Sequence, residues 1–250
     1  MSRVIAGGIS GPLVLSLTDP LASGGSDNPL IVTSTGTITS PLDGIDGPAG
    51  TAWTIFNNGA VSTTDGAGIA LAGAGFLYNS GQGSITSERQ GVLINGAGVV
   101  ANQGSIFAQD IGVGLGEGSV INTNQGSIRG GPFGVALQNG GSVWNLGSIS
   151  GDGGGVSLEG GTGSITNWGQ IAGSITFGVS LAKGSVTNLG TISGGHFGVQ
   201  LLGDGVVDNQ GSIHGGVEIA AGGTVIQPRS DLGWGIPESI QCVVWLCHSK

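Results

Sequence analysis

A repeat of 21 to 23 residues is the feature that most limits what this chain can fold into. The motif Asn-x-Gly-x-Ile/Val returns at this spacing along most of the sequence, and one copy carries two inserted residues. The asparagines that begin the copies are Asn57, Asn79, Asn102, Asn124, Asn145, Asn167, Asn188 and Asn209. A fixed period of this length indicates that one small structural unit is stacked many times.

Two further motifs follow the same period. One is Gly-Val-x-Leu, and the other is Gly-Ser-Val/Ile-x-Asn, which runs directly into several of the repeated asparagines. Both alternate with a period of two, the side-chain period of a β-strand, so we expect Phe133, Val135 and Leu137 to share one face. A repeat with three short strands and no helical segment predicts one coil of a parallel β-helix.

Composition supports the same fold class. Glycine contributes 55 of the 250 residues, and each glycine inside a helix costs about 1 kcal/mol relative to alanine. Charged residues make up 8 % of the chain and hydrophobic residues 38 %, which excludes disorder driven by high charge. We therefore predict an all-β chain whose residues 31–228 form a parallel β-helix of about nine coils.

Stacking of coils gives the repeated residue types a structural role. Equivalent positions in neighbouring coils of a parallel sheet lie about 4.8 Å apart. The valine, isoleucine and leucine positions then form continuous apolar columns, and asparagines in register pass amide hydrogen bonds from coil to coil. We predict that the eight repeated asparagines form such a ladder inside the stack.

The residues beside three of these asparagines predict a contact surface. The residue that follows the asparagine is apolar in three successive copies, at Leu146, Trp168 and Leu189. If the asparagine faces inward, its neighbours face outward, and Trp144 joins them on the other side of Asn145. Clustered exposed apolar side chains mark contact surfaces, although the C-terminal residues of the chain could instead cover this group.

The two ends of the chain differ from the repeats. Residues 1–30 contain three prolines, and we expect them to form a cap on the first coil or a leader-like segment. Residues 229–250 contain both cysteines and two tryptophans, and we expect an atypical tail or a C-terminal cap. Cys242, Cys247 and His248 are too few ligands for a zinc site.

Charge and motif content exclude several function classes. Six basic residues against fifteen acidic ones give a net charge of −9, so no nucleic-acid partner is expected. No apolar stretch is long enough for a membrane-spanning helix, so no membrane insertion by this segment is expected. The sequence predicts no cofactor, because its glycine-rich stretches precede no helix that could receive a phosphate. It predicts no metal, because the cysteines and His248 are too few and the stretch at 160–165 has isoleucine where a calcium-binding nonapeptide needs aspartate.

Catalysis is not expected from the distribution of acidic residues. Glycoside hydrolysis needs two carboxylates about 5–9.5 Å apart, and the acids here are scattered singly. Arg89 and Asp110 occupy similar turn positions on adjacent coils, and we expect them to form one exposed ion pair. We therefore predict a non-enzymatic protein.

The three motifs together resemble the repeats of bacterial autotransporter passenger domains and related β-helical surface adhesins, over residues 31–228. This resemblance implies a right-handed parallel β-helix, located at the cell surface or outside the cell, that serves adhesion. It implies a host-surface protein or glycan as partner, and an outer-membrane barrel if this is part of a larger chain. The sequence departs from the family in lacking a convincing signal peptide and a C-terminal barrel. Two alternatives stay open, a degenerate polysaccharide-acting lyase or hydrolase and a nonfunctional fragment of a larger autotransporter gene.

Overall fold

The computed structural model describes residues 2–18 and 26–227, and the regular structure of these two ranges consists of β-strands. Every pairing between these strands is parallel, and the strands form one sheet of 19 strands and one of 10. Among the described residues, no helix has the length and apolarity to cross a membrane. The predicted all-β parallel β-helix is confirmed.

The coils are built from 29 short strands. In chain order the first ten are β1 (Arg3–Ile5), β2 (Gly8–Ser10), β3 (Leu13–Val14), β4 (Leu30–Val32), β5 (Thr37–Ser40), β6 (Ile45–Gly47), β7 (Trp53–Asn57), β8 (Ala60–Thr63), β9 (Ile69–Leu71) and β10 (Gly75–Asn79). The next ten are β11 (Ser84–Ser87), β12 (Val92–Asn102), β13 (Ser105–Ala108), β14 (Ile111–Asn122), β15 (Ser127–Gly130), β16 (Phe133–Leu137), β17 (Gly141–Asn145), β18 (Ser148–Gly151), β19 (Gly154–Leu158) and β20 (Gly163–Asn167). The last nine are β21 (Gln170–Gly173), β22 (Phe177–Leu181), β23 (Gly184–Asn188), β24 (Thr191–Gly194), β25 (Phe197–Leu201), β26 (Gly205–Asn209), β27 (Ser212–His214), β28 (Val217–Ile219) and β29 (Gly223–Ile226).

Each full coil contributes a strand to three faces, which we name after their repeated residues. The isoleucine face is the 10-stranded sheet, with strands such as β15, β18 and β21. The leucine face contains the Gly-Val-x-Leu strands, such as β16, β19, β22 and β25, and the asparagine face contains β17, β20, β23 and β26. The leucine and asparagine faces belong to one sheet because β12 and β14 run continuously through both.

The core is made of apolar columns that pair residue for residue between coils. On the isoleucine face Ile128 pairs with Ile149 and then with Ile171, and all three side chains are buried. On the leucine face Val135 pairs with Val156 in the same way. This in-register burial follows from the period-two alternation in each strand, because a shift of one residue would move the apolar set to the outside.

The phenylalanines of the leucine face are an exception to the predicted alternation. Val135 and Leu137 face the core as expected, but Phe133 is half-buried on the outside of the rod, so its predicted placement with them was wrong. The chain turns a corner at Gly134, and it is this glycine that points inward, toward the Ile149 side chain. Phe177 occupies the same kind of position as Phe133.

Glycine recurs at this corner because the cross-section leaves no room for a side chain there. A Cβ atom on Gly155 would lie 2.6 Å from the carbonyl oxygen of Gly178 and 2.6 Å from Cγ2 of Ile171. Backbone stands on one side and the opposite face on the other, so neither contact can be relieved by rotating a flexible side chain. The glycine of the Gly-Val-x-Leu motif is therefore a packing requirement of the fold.

The stack begins earlier than residue 31. Strands β1, β2 and β3 pair in register with β4, β5 and β6, so residues 3–14 form a complete first coil. Arg3 lies 3.4 Å from Asp27, whose carboxylate is fully buried and accepts a hydrogen bond from the Ser16 backbone amide at 2.8 Å. The nine predicted coils are present, and this N-terminal coil is added to them.

Candidate functional site

The asparagine ladder runs along the inside of the asparagine face. In each bond Nδ2 of one asparagine donates to Oδ1 of the asparagine on the next coil, and all seven donor–acceptor distances are 2.8 Å. The members are Asn57, Asn79, Asn102, Asn122, Asn145, Asn167, Asn188 and Asn209, each 6 % exposed or less. Most of the amides also donate to backbone carbonyls of the following turns. The ladder is thus a continuous buried polar column inside an apolar core.

Asn124 was wrongly assigned to this ladder, and Asn122 takes its place. Asn122 pairs with Asn145 in the strand register and is fully buried, whereas Asn124 is exposed in the turn that follows β14. The turn after Asn122 has three residues before its glycine, the same length as the turn after Asn79. The short motif around Asn124 therefore matches the repeat in sequence but lies two residues too late in the structure.

The four predicted contact residues lie together on the outside of the rod. Trp144 is 49 % exposed, Leu146 40 %, Trp168 44 % and Leu189 39 %. The Trp144 and Trp168 rings lie 5.3 Å apart between centroids with an interplanar angle of 30°. We call these four residues the apolar strip. Their outward orientation follows from the inward orientation of the ladder asparagines beside them.

The exposed apolar surface extends beyond the predicted strip. Trp144 stands in register with Ile121 on the preceding coil, and Ile121 is 37 % exposed. Further toward the N terminus, the same outer face carries Tyr78 and Phe56, whose ring centroids lie 6.4 Å apart. Sequence reasoning missed these residues because it followed the position after each asparagine. The period-two rule, applied to the position before each asparagine, would have found Phe56 and Tyr78, whereas Ile121 precedes Asn122, which the sequence motif did not identify.

Charged residues on the rod pair differently from the prediction. The expected Arg89–Asp110 ion pair is not formed, since the Asp110 carboxylate accepts a hydrogen bond from Gln90 Nε2 at 2.9 Å instead. Arg129 and Asp152 approach to 3.8 Å, and both side chains are more than half exposed. A pair of this kind contributes about 0–1 kcal/mol to stability.

Asp46 on the leucine face predicts a pH-dependent contribution to stability. Burial, and secondarily the neighbouring Asp43 carboxylate, raises the pKa of Asp46 above its ordinary value. The folded state then holds the proton more tightly than the unfolded state, so stability falls as pH rises from the ordinary value through the raised pKa. Asp46→Asn should therefore raise the midpoint of thermal unfolding at pH 7.

The matched control for Asp46 is Asp65→Asn, which removes the same charge from an exposed turn. The thermal unfolding midpoint of the Asp46 variant should lie above that of the parent at neutral pH. This difference in midpoint should shrink once the pH is below the ordinary carboxyl range. Thermal unfolding followed by circular dichroism at several pH values measures both. A difference that is the same at every pH would contradict the assignment.

No metal-binding cluster accompanies these surfaces in the part of the chain that the structure describes. No group of three or more histidine, cysteine, aspartate or glutamate side chains that could hold a metal occurs within residues 2–18 and 26–227. The cysteines, His248 and the C-terminal segment expected to form a tail or cap lie outside the described residues.

No family model matches the chain, no curated protein matches it, and no solved structure matches it. The likeness to autotransporter passenger domains stays a resemblance of motifs.

Proposed function

We propose that this protein is a non-enzymatic β-helical module that acts in adhesion at the cell surface or outside the cell. The observation that carries the proposal is the apolar strip, in which two tryptophan rings contact each other and remain 49 % and 44 % exposed. Exposed aromatic clusters are costly to leave in water and are the commonest energetic anchors of protein interfaces.

The shape of the strip favours a flat partner. Leu146, Trp168 and Leu189 follow the ladder asparagines of three successive coils, so they form a row with the spacing of neighbouring strands, about 4.8 Å. The row lies on the outside of the rod, in the short turns that follow β17, β20 and β23. A row of this kind fits an extended macromolecular surface, such as a host-surface protein or a glycan layer.

The rigidity of the stack supports the same role. The backbone that carries the strip is held from the inside of the rod, because Asn145 and Asn167, the chain neighbours of Trp144 and Trp168, hydrogen-bond to each other at 2.8 Å. A surface that is already ordered loses little conformational entropy on binding. The strip is therefore presented in one geometry before any partner arrives.

Removing the strip should abolish attachment without unfolding the rod. Beads that carry the full chain are allowed to settle on a collagen film and on a mucin film, and the attached fraction is counted after washing. We expect Trp144→Ser combined with Trp168→Ser to lower attachment at least tenfold, because central aromatic anchors carry most of an interface's binding energy. Circular dichroism verifies that the variant keeps its strands.

The matched control replaces two exposed apolar residues elsewhere on the rod. Leu42 is 58 % exposed and Ile175 is 61 % exposed, and both lie in turns away from the strip. Leu42→Ser combined with Ile175→Ser should leave attachment unchanged. Equal loss in the two double variants, or no attachment of the parent chain to either film, would contradict the proposal.

A further inference from the structure

A groove on the outside of the leucine face is separate from the apolar strip. Its volume is about 410 Å³, within the range of roughly 300–1,000 Å³ that is usual for ligand sites. It crosses strands β16, β19, β22 and β25. The lining residues that determine its chemistry are Phe133, Ser157, Glu159, Phe177, Ser180 and Gln200.

Two phenylalanine rings form one side of this groove. In the strand register Gly154 stands between Phe133 and Phe177, where the neighbouring coils carry phenylalanine. The Phe177 ring lies over Gly154 and occupies the space that a Cβ atom there would need. The two rings are consequently stacked, with centroids 5.9 Å apart and an interplanar angle of 13°. The two rings can stack because Gly154 has no side chain between them, and we call the pair Phe133 and Phe177 the aromatic shelf.

Two serine hydroxyls line the floor without a protein partner. Ser157 and Ser180 are 5 % and 6 % exposed, and they pair in register on β19 and β22. Within the described residues neither hydroxyl takes part in a hydrogen bond, although no fully enclosed side-chain polar atom there lacks one. Both hydroxyls therefore open into the groove, where they are available to a ligand.

The combination of these groups defines the chemistry of the ligand. An entirely apolar molecule would exclude water from two hydroxyls and leave them without hydrogen-bond partners, which opposes binding. An anion would face the Glu159 carboxylate on the lining and Glu218, which accepts a hydrogen bond from Gln200 Nε2 at 2.6 Å. A peptide strand would find no free edge here, because the backbone groups of these strands pair between coils. A neutral sugar offers an apolar ring face and several hydroxyls.

We propose that this groove binds a neutral oligosaccharide, with a ring packed on Phe133 and Phe177 and its hydroxyls bonded to Ser157 and Ser180. Glu159 is the one carboxylate on the lining, and Glu218 is held in a hydrogen bond with Gln200, so the proposal is binding of the sugar without cleavage. The groove extends over four coils and accommodates more than one sugar unit along the rod. This inference stands independently of the adhesive role proposed for the strip.

The test uses the full chain and four hexasaccharides. Cellohexaose, maltohexaose and chitohexaose are the neutral probes, hexagalacturonate is the anionic one, and affinities are measured by isothermal titration calorimetry. We expect at least one neutral hexasaccharide to bind with one site per chain and at least tenfold more tightly than hexagalacturonate. Failure of all three neutral probes to bind at millimolar concentration, or equal binding of the anionic one, overturns the proposal.

Variants locate the binding in the groove. Ser157→Ala combined with Ser180→Ala should weaken the affinity at least tenfold and leave the unfolding midpoint unchanged or higher, because hydroxyls without protein partners contribute nothing to the fold. Ser164→Ala combined with Ser185→Ala makes the same change on the asparagine face and should leave the affinity unchanged. Equal affinity in both double variants overturns the assignment.

A third variant separates this site from the strip. Phe177→Ala should weaken sugar binding at least tenfold, whereas Trp144→Ser combined with Trp168→Ser should not change it. Loss of sugar binding in the tryptophan variant would place the site on the strip and overturn the groove assignment. Loss of film attachment alone would leave the groove assignment intact.

Discussion

Asn145→Leu is expected to destabilise the rod by about 2–4 kcal/mol, since it interrupts the ladder near its middle. The Asn145 amide accepts a hydrogen bond from Asn122 and donates one to Asn167, both at 2.8 Å, and donates another to the Gln170 carbonyl at 3.0 Å. Leucine has a similar size but replaces none of these bonds. Each buried polar group that loses its partner costs about 1–3 kcal/mol.

Asn124→Leu is the matched control for this variant. Asn124 lies exposed in the turn after β14, so the same substitution there should change the free energy of unfolding by no more than about 0.5 kcal/mol. Asn122→Leu, two residues away, should behave like Asn145→Leu. Denaturant unfolding followed by circular dichroism measures all three. Similar midpoints for the Asn122 and Asn124 variants would show that the ladder has been traced through the wrong residue.

Gly184→Ala should destabilise the rod by about 2–6 kcal/mol. Gly184 has a φ of 133°, a backbone conformation that side chains other than hydrogen rarely allow. A methyl group there would also overlap the carbonyl oxygen of Gly163 on the preceding coil. Strain and overpacking each cost about 1–3 kcal/mol, and here they act at one position that neighbouring coils hold fixed.

Gly114→Ala is the corresponding control, because it adds the same methyl group to another strand glycine. The nearest atom to a Cβ on Gly114 is Leu93 Cδ1 at 3.5 Å, an ordinary van der Waals contact. Replacing glycine by alanine at an unstrained site stabilises a protein by about 0.4–1 kcal/mol, through the unfolded state. In urea, Gly184→Ala should unfold at a lower midpoint concentration than the parent, and Gly114→Ala should unfold at a higher one. Destabilisation of both to the same degree would contradict the steric account.

Much of this architecture could be predicted from the sequence, because each repeated motif performs the same packing task in every coil. Burial of the isoleucine and valine columns follows from period-two alternation, and the outward placement of Trp168 follows from the inward placement of Asn167. These are local consequences of strand geometry. They need no knowledge of the other coils beyond their register.

The predictions for Asn124 and Phe133 were wrong because strand geometry within one coil does not determine where these two residues lie. Asn124 carries the short motif, and only the pairing of β14 with β17 shows that a longer turn brings Asn122 into register. Phe133 faces outward because the chain turns at Gly134, and a corner of this kind interrupts the alternation. A rule of alternation applies within a straight strand and fails across a bend.

The groove could not be predicted because it depends on residues of four different coils at once. The aromatic shelf exists because Phe177 leans over Gly154 toward Phe133, two coils away. Ser157 and Ser180 look like ordinary outer strand residues in the sequence, and their burial comes from the side chains around them. Departures from the repeat, here one glycine and two serines, are therefore the residues that distinguish one part of the rod from another.

The ladder also gives the molecule a chemical direction. Backbone hydrogen bonds between coils run both ways, since Ser80 donates back to Asn57 whereas Gly44 donates forward to Ala67. The amide dipoles of the ladder, in contrast, all point the same way, and dipoles aligned head to tail polarise and strengthen one another. At the Asn57 end the ladder closes inside the stack, because Asn57 Oδ1 accepts a hydrogen bond from the Gly59 backbone amide at 3.3 Å and Val32 stands in register with Asn57 on the preceding coil. At the other end, a further asparagine could join the ladder only with its oxygen turned toward the NH2 group of Asn209, because Asn209 Oδ1 already accepts the bond from Asn188.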